Sequence, residues 1–348
     1  MPSIIPIDNK FTRSIFLIIG VMLFSSCASV KEIAPPRHMG AWLVYWDGER
    51  GLSELEAQGG LFDRVSLFAY ELDVNGNPQP APHFKELLPH FLDLSRKKGF
   101  EPWVTVVNDF QVEGDKALPK DVQLLKRILS DPELRRNHAA SLAEKVSSDG
   151  FVGLDLDYEC LTVSDQNNFR NFVSELSQEL QRRNLRLNVV LEPQQGPLPF
   201  PGTEDLTVMG YYLHGEHNGP GPIATPDFIS KLNQRLSGNT SGSHYLALSL
   251  GGFSWSPERK VSQVDWDSGQ KLTNGVKVKR DSLTGVPYAL LEDGTEVWFE
   301  DPESLQRKWE AAEKADFSGL MLWRLGGNDY SLFQLLQNYR NRQQRGNR

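Results

Sequence analysis

The chain of 348 residues is 39% hydrophobic and 24% charged, a composition that excludes a disordered protein and allows a large core. Its formal net charge is −8 at pH 7. Because an acidic chain is a poor partner for nucleic acid or an anionic surface, we expect no nucleic-acid partner and favour a neutral or cationic ligand.

The first predicted element is an apolar run from Ile15 to Phe24, which follows Lys10 and Arg13 and ends shortly before Cys27. The run is too short to span a membrane, and small residues followed by cysteine resemble a bacterial lipoprotein signal. We expect cleavage before Cys27 and a lipid on its thiol, which would anchor the exported protein to the outer membrane of a Gram-negative cell. The alternatives are an ordinary secretory signal and an uncleaved anchor.

This prediction divides the chain into a signal peptide over residues 1–26, a tether over 27–37, one large domain over 38–340 and a basic tail over 341–348. The tail is expected to be a frayed end. Apart from the lipidated Cys27, the mature chain keeps one cysteine, Cys160, so no internal disulfide is expected.

Apolar runs with strand-like patterns recur eight times after the tether, with amphipathic helical stretches between them. Such alternation predicts an α/β fold, a closed (β/α)8 TIM barrel. The predicted strands are Met39–Tyr45, Val65–Tyr70, Glu101–Val107, Gly153–Glu159, Arg186–Leu191, Leu206–Tyr212, Tyr245–Leu250 and Gly319–Trp323. The clearest helical stretches are Phe84–Lys98, Glu133–Ser147 and Asp165–Arg183.

The fourth predicted strand carries Asp155, Asp157 and Glu159 at alternate positions of an otherwise apolar run. Because successive side chains of a strand point to opposite faces, these three carboxylates share one face. Burying an unpaired carboxylate is costly or forces it to take up a proton, so the cluster indicates a functional site. A polar, solvated edge strand is the alternative, and the apolar neighbours argue against it.

This strand resembles the signature of the family 18 glycoside hydrolases, Asp/Asn-Gly-apolar-Asp-apolar-Asp-x-Glu on the fourth strand of a (β/α)8 barrel. Val152 stands where the family usually has Asp or Asn. The matching residues are Gly153, Leu154, Asp155, Leu156, Asp157 and Glu159.

The resemblance implies a retaining hydrolase of β-linked N-acetylglucosaminyl bonds in which the 2-acetamido group of the substrate attacks the anomeric carbon. It makes Glu159 the general acid and then base. Asp157 would orient and stabilise the acetamido group, and Asp155 would support Asp157.

Two further strands resemble those of the family. Met209 and Tyr211 match a Met-x-Tyr pattern on strand six, where the tyrosine donates a hydrogen bond to the acetamido carbonyl. Trp323 matches the tryptophan on strand eight on which the sugar stacks. Without the fourth strand, Tyr211 would be interpreted as a rim residue and Trp323 as a core residue.

The second half of the chain resembles the spore-cortex and cell-wall N-acetylglucosaminidase branch of the family. That branch carries a small β-rich insertion between strands seven and eight, which residues 257–301 fit. The insertion is expected to form one wall of the glycan groove. Its predicted short strands are Lys277–Val278, Tyr288–Leu291 and Glu296–Phe299.

Residues that end or follow the first, second, third and fifth strands are expected to line the groove, because barrel enzymes hold their sites at the carboxyl ends of the strands. For two of them, Asp109 and Glu192, a solvated loop acid is the alternative. The candidates are Tyr45, Trp46, Tyr70, Asn108, Asp109 and Glu192.

Two rival functions stay open. One is a catalytically silent glycan-binding surface lipoprotein on the same fold, although such proteins typically lose the acid that Glu159 supplies here. The other treats Asp155, Asp157 and Glu159 as ligands of a hard cation such as Mg²⁺, with His214 and His217 as the only nearby imidazoles.

We expect no metal and no cofactor, a monomer, and a polysaccharide that contains N-acetylglucosamine as the substrate. The sequence leaves open whether that glycan is peptidoglycan, a chitin-like polymer or an N-glycan, and whether cleavage is endo or exo.

Overall fold

Eight parallel strands close into a barrel with helices around it, which confirms the predicted (β/α)8 fold. The structure, a computed structural model, describes residues 38–112, 116–195, 200, 205–236 and 242–346. The first and eighth strands pair in parallel, with His38 opposite Gly319, and the second and third strands pair as well, so the barrel has no free edge.

The barrel strands are β1 (His38–Val44), β2 (Arg64–Leu72), β3 (Glu101–Val112), β4 (Gly153–Asp157), β5 (Arg186–Leu191), β6 (Asp205–Met209), β7 (His244–Ser249) and β8 (Gly319–Trp323). The helices of the described residues are α1 (Gly48–Gln58), α2 (Phe84–Lys98), α3 (Val122–Ser130), α4 (Pro132–Ser148), α5 (Gln166–Gln181), α6 (Pro226–Leu236), α7 (Trp266–Leu272), α8 (Pro302–Lys314) and α9 (Tyr330–Gly346). The helix predicted over Phe84–Lys98 has these bounds in the structure.

Apolar side chains of the barrel and its helices form two separate cores, and a third, small cluster lies in the insertion. The larger lies between the strands and the surrounding helices, where α5 buries Phe169, Phe172 and Leu176. The smaller fills the inside of the barrel and includes Trp42 and Met209. Because alternate residues of a strand serve the two cores, the parity of each residue along its strand decides whether it faces the site.

Strand β2 changes this parity part-way along its length. Phe68 lies opposite Thr105, but the next registered pair is Tyr70 with Val106, so Ala69 is an extra residue. Such a bulge moves the following side chains to the other face of the strand. Tyr70 therefore packs in the outer core, which contradicts its predicted place in the groove.

Several predicted strand boundaries differ from those of the structure. Strand β4 ends at Asp157 and β6 at Met209, so Glu159 and Tyr211 lie in the turns that follow these strands. Helix α9 continues into the predicted basic tail, as far as Gly346. Arg340 also pairs with Asp63 at 2.8 Å, which holds this helix against the barrel.

The insertion between β7 and β8 is a five-stranded sheet with antiparallel pairing. It begins at Gly252, before the predicted start at residue 257. A predicted strand at Lys277–Val278 lies two residues later, at Lys279–Arg280. The strands are Gly252–Trp255, Val261–Val264, Lys279–Arg280, Pro287–Leu290 and Glu296–Trp298.

The predicted signal peptide, the tether and the lipidation site Cys27 lie outside the described residues. Within the part of the chain that the structure describes, no helix has both the length and the apolar character needed to cross a membrane.

Candidate functional site

The three acids of strand four form a column that rises from the centre of the barrel to its mouth. Asp155 is completely buried and Asp157 nearly so, whereas the Glu159 side chain keeps 16% of its surface exposed. The column therefore offers three carboxyl groups in three different surroundings.

Asp155, at the bottom of the column, is surrounded by donors. Its carboxylate accepts hydrogen bonds from Trp42 Nε1 at 3.1 Å and Asn188 Nδ2 at 2.8 Å. The guanidinium of Arg64 lies 3.9 Å away, and Thr207 in turn donates to Asn188 Oδ1 at 2.9 Å. Burial raises the pKa of Asp155, and Arg64 and these donors oppose that rise.

Asp157 has fewer partners. Its Oδ1 is buried and makes no hydrogen bond within the described residues. Burial, together with the charges of Glu159 and Asp155, raises the pKa of Asp157 to about 8, although Lys120 opposes the rise. At neutral pH Asp157 therefore carries a proton in the free protein and offers an unsatisfied oxygen to a ligand.

Glu159 is held by an ion pair that the sequence did not predict. Its Oε1 lies 2.8 Å from Nζ of Lys120, whose side chain is 26% exposed. Burial lowers the pKa of Lys120, but the charges of Asp157, Glu159 and Asp109 raise it well above its usual value. The acid at the mouth thus faces a fully charged ammonium group.

Asn108, predicted to line the groove, instead fixes the backbone of Glu159. Its Oδ1 accepts from the Glu159 amide at 3.0 Å, and its Nδ2 donates to the Glu159 carbonyl at 3.1 Å. Asn108 is completely buried, so its amide is not available to a substrate. These two hydrogen bonds hold the turn that carries Glu159, which the sequence did not predict.

The acids Glu192 and Asp109 also hold the turns at the mouth. Glu192 Oε2 accepts from the amide of Cys160 at 2.7 Å, directly after Glu159. Asp109 Oδ1 accepts from the amide of Lys120 at 2.9 Å. Burial raises the pKa of Glu192, and the charge of Glu159 adds to this rise.

Met209 and Tyr211 belong to the inner core, on the barrel side of the mouth. The ring of Tyr211 lies 4.8 Å from that of Tyr212, measured between centroids. Burial and the charges of Asp157 and Glu159 raise the pKa of Tyr211 well above its ordinary value. Its hydroxyl is therefore protonated at neutral pH and can donate a hydrogen bond.

Trp323, at the end of β8, belongs to an aromatic cluster on the far side of the barrel from β4. Its ring lies 5.3 Å from that of Phe68 and 5.8 Å from that of Trp42. Trp46, 6.4 Å from Trp323, is half exposed. Exposed indole faces at a barrel mouth can stack on the apolar face of a sugar ring.

Tyr45 lies beside this cluster, 4.9 Å from the ring of Trp46, and donates to Oε1 of Glu71 at 3.3 Å. Burial and the charge of Glu71 raise the pKa of Tyr45 to about 12. Tyr70, in contrast, is absent from the mouth. It is completely buried, and its hydroxyl donates to Asp149 at 2.5 Å.

A cavity of about 150 Å³ lies between the barrel mouth and the insertion. Tyr211 and Trp323 line it from the barrel, and Phe253, Gln263 and Asp265 line it from the insertion. The insertion thus forms one side of a pocket that includes two predicted substrate contacts.

Residues 114–329, more than half of the chain, match the model of the glycosyl hydrolases family 18. The chain belongs to this family. It is therefore a glycosidase with a (β/α)8 barrel.

Two curated relatives come from Bacillus subtilis (strain 168). The uncharacterized glycosylase YvbX is 19% identical over 71% of this chain and 77% of its own length. The cortical fragment-lytic enzyme is 23% identical over 59% of this chain. The match covers 53% of that enzyme, about half of its length.

Solved structures share the fold. The spore cortex-lytic enzyme SleL of Bacillus cereus superposes with a TM-score of 0.74 at 17% identity, over 87% of this chain and 74% of that chain. A chitinase from Chromobacterium violaceum ATCC 12472 superposes with a TM-score of 0.73 at 19% identity, over 87% of this chain and 98% of that chain.

The residues of this family 18 site that were missed from the sequence include Lys120, Tyr212, Glu71 and Arg64, and the hydrogen-bond donors to Asp155, Trp42 and Asn188. Lys120 and Tyr212 lie in turns without a recognisable motif, and the bulge in β2 hides the inward direction of Glu71. Arg64 is the first residue of β2, a strand that is otherwise mostly apolar, so its sequence gives no sign of a buried charge. In the described residues, no three side chains of the types that bind metals converge, so Asp155, Asp157 and Glu159 do not form such a group.

Proposed function

We propose that this family 18 glycosidase hydrolyses β-linked N-acetylglucosaminyl bonds with retention of configuration, through an oxazolinium intermediate formed by the substrate's own acetamido group. The main support is the acid column along β4 and the turn after it. Asp155 is surrounded by hydrogen-bond donors, Asp157 is protonated and has an oxygen without a hydrogen bond in the described residues, and Glu159 is accessible. A mechanism that used two independent carboxylates would not need three acids with different burial and different hydrogen-bond partners.

In the first step, Glu159 gives a proton to the glycosidic oxygen while the acetamido oxygen attacks the anomeric carbon and the leaving sugar departs. Tyr211 donates a hydrogen bond to the reacting acetamido group. Asp157 accepts from its N–H and stabilises the positive charge, which favours ionised Asp157. Asp155 is the adjacent acid that can take up the displaced proton.

In the second step, the Glu159 carboxylate removes a proton from water, which attacks the anomeric carbon and opens the oxazolinium ring. Trp323 gives the sugar an apolar floor that keeps the anomeric carbon between the acid column and the acetamido group. Cell-wall glycans are supported by the names of two similar proteins, the cortical fragment-lytic and spore cortex-lytic enzymes. The similar chitinase supports a chitin-like polymer.

The test is turnover by Glu159→Gln and the wild type, measured as chromophore release from 4-nitrophenyl β-chitobioside and as reducing ends released from peptidoglycan and chitin oligomers. Because the variant lacks the general acid, kcat should fall by about 10²–10⁴-fold. A thiazoline mimic of the oxazolinium should inhibit the wild type. The matched control is Glu86→Gln, an exposed acid of α2 that should leave kcat unchanged.

A second candidate function, a glycan binder without turnover, is favoured by the ion pair between Lys120 and Glu159, because this pair occupies the carboxylate that would have to reach the glycosidic oxygen. Binding of chito-oligosaccharides that is equally tight in wild type and Glu159→Gln, with no turnover by either, would support this function and contradict hydrolysis.

We further propose that the protein is exported and anchored by a lipid on Cys27, as the run from Ile15 to Phe24 indicates. Cells that express the full chain and receive radiolabelled palmitate should yield labelled protein in the membrane fraction. Cys27→Ser should remove the label. Cys160→Ser, the matched control, should keep it, and label retained by Cys27→Ser would contradict the anchor.

A further inference from the structure

Lys120 contacts the carboxyl group that would protonate the glycosidic oxygen. The general acid protonates the oxygen that joins the sugar on Trp323 to the leaving sugar, so a group bound to the Glu159 carboxylate flanks that oxygen. Nζ of Lys120 occupies this position, 2.8 Å from Oε1. Its backbone is fixed there, because Asp109 accepts from its amide.

The charge of Lys120 becomes unbalanced when Glu159 works as an acid. Lys120 faces the carboxyl groups of Asp157, Glu159 and Asp109. Glu159 must take up a proton before it can donate one. Lys120 then loses its closest partner while only 26% of its side chain is exposed. A partly buried ammonium group that loses its closest carboxylate partner is destabilised.

We propose that Lys120 is a specificity residue that binds a carboxylate carried by the leaving sugar. This carboxylate replaces Glu159 as the partner of the ammonium group and frees Glu159 to hold a proton. A neutral leaving sugar offers no such replacement. The inference rests on the proposed hydrolysis of N-acetylglucosaminyl bonds and names the class of glycan, one in which N-acetylglucosamine is linked to an acidic sugar.

Two sugars supply this chemistry, a muramic acid with a lactyl carboxylate on O3 and a uronic acid with a ring carboxylate. Either would form a charge-assisted hydrogen bond with Nζ of Lys120. A fully acetylated chitin oligomer supplies neither.

The test compares the peptide-free tetrasaccharide of alternating N-acetylglucosamine and N-acetylmuramic acid with the same compound after its lactyl carboxylates are converted to amides. The full-length wild type should cleave the acid form with a kcat/KM about tenfold higher, the effect of one partly buried charged contact. In Lys120→Met this ratio should fall to about one, and Lys120→Arg should restore most of it.

A hyaluronan tetrasaccharide, in which N-acetylglucosamine is β-1,4-linked to glucuronate, separates the two sources. Cleavage of hyaluronan that depends on Lys120 assigns a ring carboxylate, and Lys120-dependent cleavage of the muramic compound alone assigns the lactyl group. The matched control is Lys126→Met, a lysine of α3 that pairs with Asp165 at 3.2 Å and should leave every ratio unchanged.

Hydrolysis of 4-nitrophenyl β-chitobioside, which has an uncharged leaving group, reports on the proposed function alone. If the wild type turns it over but cleaves the acid and amide tetrasaccharides equally, the inference fails and the proposed function stands. If nothing is turned over, calorimetric binding decides the inference. Tighter binding of the acid form that is lost in Lys120→Met supports it, and equal binding of both forms overturns it.

Discussion

Asp155 and Asp157 lie two residues apart on one strand, yet their surroundings favour different charges. Asp155 accepts hydrogen bonds from Trp42 and Asn188 and lies near Arg64, whereas Oδ1 of Asp157 has no hydrogen-bond partner in the described residues. Neighbouring carboxyls that interact this closely share their protons as a unit. The donors beneath Asp155 therefore direct the proton towards Asp157, beside the place where the acetamido group would bind.

The raised pKa of Asp157 predicts a pH-dependent cost in stability. Between about pH 4, the unfolded value, and about pH 8, the folded chain keeps a proton that the unfolded chain releases. The free energy of unfolding of the wild type should therefore fall as pH rises through this window, by at most about 1.4 kcal/mol per pH unit. Asp157→Asn removes this titrating group, so the free energy of unfolding of the variant should increase relative to that of the wild type as pH rises.

Urea unfolding of both proteins at pH 5, 6, 7 and 8 measures this difference. Asp227→Asn, which replaces an exposed acid of α6, serves as the control and should follow the wild type at every pH. Unfolding free energies of wild type and Asp157→Asn that change in parallel would show that Asp157 has no raised pKa.

Sequence reasoning could identify the acids of this site but not their partners. The alternation of Asp155, Asp157 and Glu159 is a local pattern, and local patterns can be read from a sequence. Lys120 meets Glu159 only because the turn after β3 folds back over the end of β4. Contacts between residues distant in sequence depend on loop conformation, which periodicity does not describe.

Gly153 at the start of β4 lies close against Trp103 of the neighbouring strand β3. A Cβ atom at position 153 would lie 2.6 Å from three carbons of the Trp103 indole. This ring cannot move easily, because it is buried and packs against the guanidinium groups of Arg64 and Arg186. The glycine of the acidic motif is therefore needed for the approach of the two strands.

Gly153→Ala should lower the free energy of unfolding by about 1–3 kcal/mol, the range typical of overpacking in a core. It should also lower activity, because a shift of β4 moves the acid column. Chemical unfolding and turnover of the aryl glycoside measure the two effects. Gly60→Ala, at a position where the nearest atom to a new Cβ is 3.9 Å away, should change stability little, and an equal loss in both variants would contradict the packing explanation.

The positions of the strands could be predicted from the sequence. For some residues, however, the face of the strand to which the side chain points could not. An apolar run predicts β2, whereas the extra residue at Ala69 has no signal in composition or periodicity. The bulge places Tyr70 in the outer core, in contact with Phe84 and Asp149, and buries Glu71 beside Tyr45. Because of this one extra residue, Tyr70 points away from the predicted groove, and Glu71, which was not predicted, points towards it.

The whole barrel was predictable because eight alternations of strand and helix leave few other arrangements. The insertion was predictable as a β-rich segment, but not as a sheet attached to a defined side of the mouth. That attachment depends on ion pairs across 215 residues of sequence or more, from Arg50 of α1 to Asp265 and Asp267. Residues so far apart reveal no pairing in a single sequence.

Arg50 holds the insertion beside the mouth, because it lies 2.8 Å from Asp265, which also lines the cavity, and 3.0 Å from Asp267. Its side chain is 43% exposed, so Arg50→Met should lower stability by no more than about 1 kcal/mol. Since the wall would lose its anchor, KM for chito-oligosaccharides should rise several-fold, with kcat for the short aryl glycoside little changed. Arg182→Met, which removes an exposed arginine that follows α5 and pairs with Glu179 of that helix, is the control. An unchanged KM in Arg50→Met would mean that the insertion keeps its position without this contact.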